Sequence, residues 1–226
     1  MVKKSKDNNQ NQQSSSDKES DALWMRHGID DVYYQRDAHV NFWTVLGGIA
    51  VAALLTQVSN LVTEIQLGKW YLLLYFLTSI TLIANSWIQS LWSSLVLKAQ
   101  VTILHTLLGL LHLICLSIIC IYVTNPIIFF ASCGFLVLIV LAIQLYFMKT
   151  GGWVAFTEER IKGIKTVIWV YLGFLIFCCI ATVHLFWYPS VLAEIGWGIF
   201  AILASISALV MQHNGMKRER EDLKIP

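Results

Sequence analysis

Six long apolar stretches, parted by short polar breaks, constrain this chain more than any other feature. A bilayer core about 30 Å thick is crossed by a helix of roughly 20 apolar residues. Stretches of that length run over 42–63, 70–91, 101–124, 126–148, 166–187 and 190–212. Charge is nearly absent from them: between Asp37 and Glu158 only Glu64 is acidic. Of the 226 residues, 57% are hydrophobic and 13% charged, against about 45–50% and 25% in a soluble domain. Such a chain cannot keep a soluble surface, so lipid must be its solvent. The reading is an all-α integral membrane protein, a six-transmembrane-helix bundle of three antiparallel hairpins.

Orientation follows from the basic residues, which favour the cytosolic side. Fifteen of the 16 lie before span one, between spans two and three, between spans four and five, or after span six; Lys69 alone lies on the other side. Both termini are therefore expected in the cytosol, and the plasma (inner) membrane is the expected location. Trp43, Trp92 and Trp169 fall at inner ends and Trp70, Tyr71, Trp187, Tyr188 and Trp197 at outer ends, as in an aromatic belt. Pro126 and Pro189 stand at the starts of spans four and six, where a missing N–H costs nothing.

The soluble parts are small. Residues 1–20 are rich in Lys, Asn, Gln and Ser; they lack the apolar core of a signal peptide and read as a disordered cytosolic tail. In 21–41, Ile29, Val32, Tyr33, Arg36 and Val40 keep a helical spacing that suits an amphipathic pre-membrane helix. The membrane domain is taken as 42–213, with a cytosolic loop at 149–165, and 214–226 as a basic cytosolic tail. In that loop Trp153, Phe156, Ile161 and Ile164 suit either a membrane-surface segment or an ordinary connection. The five cysteines all fall in apolar runs, as small apolar filler. A net charge of +2 gives no footprint for nucleic acid.

Polar residues inside the spans are the remaining source of function. Lys98, Thr102, His105, Gly109 and His112 are spaced four, three, four and three, which puts them on one face of span three. Thr78, Asn85, Gln89 and Ser93 lie near one face of span two, and Gln144 of span four sits at similar depth. Two readings stand: a water-filled vestibule open to the cytosol and lined by Asn85, Gln89, Thr102, His105, His112 and Gln144, or interhelical hydrogen bonds. Glu64 and Glu194 lie at the outer ends of spans one and six, as solvated boundary residues or, in an oligomer, a cation-attracting ring. His105 and His184 lie at opposite depths and cannot share a haem.

Small residues repeat every four positions at Gly48, Ala52 and Thr56, at Ala204 and Ala208, and at Ala201 and Ser205; this lets helices approach closely, within one chain or between chains. A Leu-Gly pair recurs early in the odd-numbered spans, at Gly47, Gly109 and Gly173. Nothing marks an enzyme. Ser132-Cys133-Gly134 does not make a Gly-x-Ser-Gly nucleophile, no Asp-rich metal motif is present, and no Thr-Val-Gly-Tyr-Gly filter appears. No catalytic residue, metal or cofactor is expected. The leading expectation is a homo-oligomeric channel or gate in the bilayer. The competitor is a non-conducting anchor that recruits a cytosolic protein.

Overall fold

The computed structural model describes residues 41–95, 103–150 and 158–222, and the described chain is all-helical. Helix α1 runs from Asn41 to Gln66, α2 from Leu72 to Leu95, α3 from Ile103 to Ile121, α4 from Pro126 to Thr150, α5 from Glu158 to Trp187 and α6 from Val191 to Asp222. Five of them, all but α3, are long and apolar enough to cross a membrane. The apolar described part of α3, Leu107–Ile121, is shorter. The tail at 1–20, the segment 21–40, Lys98, Thr102, Trp153 and Phe156 lie outside the described residues.

Local chemistry explains where these helices begin and end. Thr56 Oγ1 bonds back to the Ala53 carbonyl at 2.7 Å, and the helix of α1 breaks at Gln57 before resuming at Val58. Such hydroxyl back-bonding competes with the helical ladder. Gly68, with φ at +89°, closes α1: its N–H reaches the Ile65 carbonyl and the Lys69 N–H reaches Glu64, both near 3.0 Å. This is a Schellman cap, which needs the left-handed conformation glycine tolerates. Asn125 caps α4, its Oδ1 accepting from the Ile128 N–H at 3.3 Å, and Pro126 takes the first helical position as expected. Pro189 sits two residues further out than Pro126 does, just before Ser190, the cap of α6, which accepts from the Ala193 N–H at 3.2 Å.

Two helices run past the ends the sequence suggested. Helix α5 begins at Glu158, eight residues before the apolar run at 166, and α6 continues to Asp222, ten residues past 212. Charged residues in these extensions favour helix without favouring lipid, so hydropathy marks the span and not the helix.

The core is an aromatic knot near the connections at 67–71, 122–125 and 188–190. Tyr75 of α2 and Phe129 and Phe130 of α4 are essentially inaccessible. Tyr75 meets the two phenyl rings edge-on, with centroids at 5.1 and 5.9 Å. Phe130 extends the knot to Phe177 of α5 and Trp197 of α6. The Tyr75 hydroxyl donates to the Glu194 carbonyl at 2.6 Å. Here α2 and α6 nearly touch, because Gly198 lies against Leu74 and Tyr75.

Packing does not follow the three consecutive pairs expected from the loops. Helix α4 packs broadly on both α3 and α5, and α6 packs on α2, while α5 and α6 touch only sparsely despite their three-residue connection. The small residue at 198 lets α6 approach α2 instead.

A Cβ at Gly198 would stand 3.1–3.2 Å from Leu74 and Tyr75 atoms, whereas one at Gly196 meets nothing within 4 Å. Gly198→Val is therefore expected to cost about 1–3 kcal/mol by overpacking and to lower the melting temperature in micelles. Gly196→Val should leave it nearly unchanged, and equal melting of the two variants would refute the close α2–α6 contact.

Candidate functional site

Beside the aromatic knot, which forms part of its wall, the bundle holds a half-open cavity of about 100 Å³. Helix α2 contributes Thr78, Asn85, Ser86 and Gln89, α3 His112, α5 Tyr171 and α6 Ser205; Phe129, Phe130, Cys133, Phe174, Phe177 and Cys178 supply much of the apolar wall. At about 30 Å³ per water, the space suits a few waters or a guest of that size. The lining runs from Thr78 to Gln89 along α2, about 16 Å at 1.5 Å per residue, or half the hydrocarbon thickness. Among the described residues, no Asp, Glu, Lys or Arg belongs to the lining.

The polar groups differ in how far they are already satisfied. Thr78 Oγ1 donates to the Leu74 carbonyl at 2.7 Å and Ser205 Oγ to the Ile202 carbonyl at 2.9 Å, so both spend their protons on their own helices. His112 Nε2 lies 3.0 Å from Ser86 Oγ, joining α3 to α2. Gln89 is hydrogen-bonded to the Tyr171 hydroxyl, joining α2 to α5. Asn85 is the exception: its Oδ1 is buried and has no protein donor. A buried carbonyl oxygen without a partner costs about 1–3 kcal/mol, so a guest in the cavity that donates to Asn85 is favoured.

Trp43 of α1 packs behind the cavity residue His112. It is only 6% exposed and stands edge-on to His112 with centroids 5.8 Å apart. Gly109, one turn before His112, makes room for it: a Cβ there would lie 3.2 Å from the indole. The Gly109–His112 face of α3 is thus covered by α1 and not open along its length.

The acids at the other end of the bundle are paired within the chain. Lys69 Nζ lies 2.7 Å from Glu64 Oε2. That hydrogen bond, and then the charge of Glu64, raise the Lys69 pKa. The Tyr71 phenol is pushed up first by burial and then by its hydrogen bond to the Glu194 carboxylate. Trp197 Nε1 donates to His184 Nδ1 at 3.0 Å, which assigns the ring proton of neutral His184 to Nε2. Among the described residues no three His, Cys, Asp or Glu side chains group as metal ligands.

Of the residues singled out by sequence, the fold brings Asn85, Gln89 and His112 to one cavity. Gln144 is not among its lining, Thr102 lies outside the described residues, and His105 falls in the first turn of α3 with its side chain outside them. Sequence reading missed Ser86, Tyr171 and Trp43. Ser86 adjoins Asn85 and carries no periodic signal of its own. Tyr171 and Trp43 resembled belt or filler aromatics, and only tertiary packing separates an indole over a histidine from one at a headgroup.

No family model matches the chain, and neither the curated proteins nor the solved structures contain a detectable match.

The His112–Ser86 contact allows a test of coupling. Ser86→Ala and His112→Phe should each lower stability, with a coupling of about 0.6–2 kcal/mol in a double-mutant cycle read by reversible unfolding in micelles. Strict additivity of the two losses would show that the bond contributes nothing.

Proposed function

We propose that the chain is a six-span membrane protein, with both termini in the cytosol, that provides a permeation path or gate for small polar species. Helix α3 is the sixth span in this reading, its inner end being completed by residues before Leu107. One observation carries the reading: Asn85, whose buried side-chain oxygen has no protein partner, belongs to the lining of the cavity between the helices. Groups that serve only to join helices are paired, as Ser86 with His112 and Gln89 with Tyr171 are. The neutral lining favours neither cations nor anions through a fixed charge, so selection would come from size and hydrogen bonding. The Tyr75–Phe129–Phe130 knot is the closed barrier on the outer side, and hydrophobic constrictions of this kind gate by dewetting. Assembly of several chains belongs to the proposal, since Glu64 and Glu194 would then ring the outer mouth.

A second reading is favoured by the helical extensions. Residues 158–165 of α5 and 213–222 of α6 carry charge away from the apolar spans as continuations of rigid helices. They would serve an anchor that holds a soluble partner. Charge reversal there should then abolish co-purification of that partner while leaving flux untouched.

The deciding experiment is flux through purified protein in liposomes, using small cations, anions and uncharged polar solutes in turn. Wild type is expected to pass one of these classes, Asn85→Leu to lower its rate about tenfold, a barrier increase near 1.4 kcal/mol, and Phe130→Ala to raise it. Native Cys133 and Cys178, which line the cavity, should react with a small water-soluble thiol reagent only while flux is observed. A folded wild type that passes no class over a range of pH and voltage would overturn the permeation reading.

A further inference from the structure

A trough of about 460 Å³, larger than the polar cavity, lies between α1 and α2. Its lining is apolar, with small residues at Gly47, Gly48 and Ala84 and larger ones at Leu55, Ile80 and Trp87. The opposite side of α1 is packed inward, with Ala50, Leu54 and Leu61 in the buried core and Trp43 against Gly109 and His112 of α3.

Its dimensions choose the occupant. The lining spans Thr44 to Leu55 on α1 and Phe76 to Trp87 on α2, a length of about 16 Å on each helix. Dividing 460 Å³ by that length gives a section of about 29 Å², a channel about 6 Å across. A helix with side chains is about 10–12 Å wide and does not fit. The wall of such a channel is about 300 Å², well below the roughly 800 Å² per partner of a stable protein interface, so the trough is too small to seat a second copy. Water is excluded by the apolar lining, since apolar cavities stay dry.

We propose that this trough binds one hydrocarbon chain of a membrane lipid, which wedges between α1 and α2 as a structural part of the folded protein. A flexible alkyl chain has the length and width the trough offers and asks for no polar partner. The lipid's headgroup would lie beyond the trough and is not selected by it. This site does not depend on permeation, so either proposal can fail alone.

The test counts retained lipid by native mass spectrometry on the whole chain, purified in mild detergent with palmitoyl-oleoyl phosphatidylcholine. Wild type should keep one phospholipid per chain. Gly48 lines the trough and a Cβ there meets nothing within 4 Å, so Gly48→Phe fills the space and should weaken retention on the order of tenfold. Gly173 on α5 is equally open, and Gly173→Phe should retain lipid as wild type does. Equal retention by wild type and a folded Gly48→Phe overturns the proposal.

Wild type supplies an independent arm. Washing the lipid out should lower the melting temperature, and a single-chain lysophosphatidylcholine should restore it as well as the two-chain lipid does. Restoration by a sterol but by neither phospholipid, or a dimer mass that excludes lipid, would overturn the single-chain assignment.

Discussion

Once apolar helices are in a bilayer, hydrophobicity no longer draws them together, because lipid tails are as apolar as leucine. Close packing must do it. In this chain it does so most densely at Tyr75, which meets Phe129 and Phe130 edge-on and bonds the Glu194 carbonyl. That one side chain ties α2 to α4 and α6. The approach of α6 is possible only because Gly198 has no side chain to obstruct Leu74 and Tyr75. The rings of Phe129 and Phe130 form one part of the cavity wall, and the smaller Cys133, Cys178, Ala201, Ala204 and Ala208 leave space beside Phe174 and Phe177. The cavity and the knot thus share a wall.

The same absence of water makes every polar group in a span account for its hydrogen bonds. Most settle the matter within one helix. Thr78, Ser79, Thr81, Ser90 and Thr182 each donate to the carbonyl four residues earlier. Such residues look polar in sequence and are almost inert in structure. The longer side chains cannot bond back so easily and reach across the bundle instead, as His112 does to Ser86 and Gln89 to Tyr171. Asn85 alone reaches into the cavity without finding a partner. The two readings of the polar stripe therefore apply to different residues of it: hydrogen-bonded glue at Gln89 and His112, unfilled demand at Asn85.

How much of this was legible follows from which interactions are local. The apolar runs, the cap at Asn125 and Pro126, and the shared face of Asn85 and Gln89 depend on neighbours within one helix, and sequence spacing reports them. The pairing of α2 with α6 depends on a glycine meeting a tyrosine 123 positions away, for which one sequence has no periodic trace. Trp43 shows the same limit. At the end of an apolar run an indole suits the headgroup belt, and only the gap above Gly109 and the ring of His112 turn it inward. Glu64 and Lys69 were separable as a boundary acid and a stray base until the Schellman turn at Gly68 brought their side chains to 2.7 Å.

Helix α1 stands apart from this economy. The knot involves α2, α4, α5 and α6 and no residue of α1. At one end α1 is joined to α2 by the five-residue turn that carries the Glu64–Lys69 pair, at the other it rests on Trp43, and between them lie the break at Gln57 and the apolar trough. Displacing α1 would cost the contacts of Trp43 with Gly109 and His112 and would uncover Ala50, Leu54 and Leu61, which share one buried cluster with Tyr75, Phe129 and Phe130. His112, freed of the indole, would still hold Ser86, which stands directly between Asn85 and the trough-wall residue Trp87 in sequence. The cavity residues Asn85 and Ser86 lie between the trough-wall residues Ala84 and Trp87 within one turn of α2. What fills the trough and what enters the cavity are accordingly separated by the thickness of a single helix.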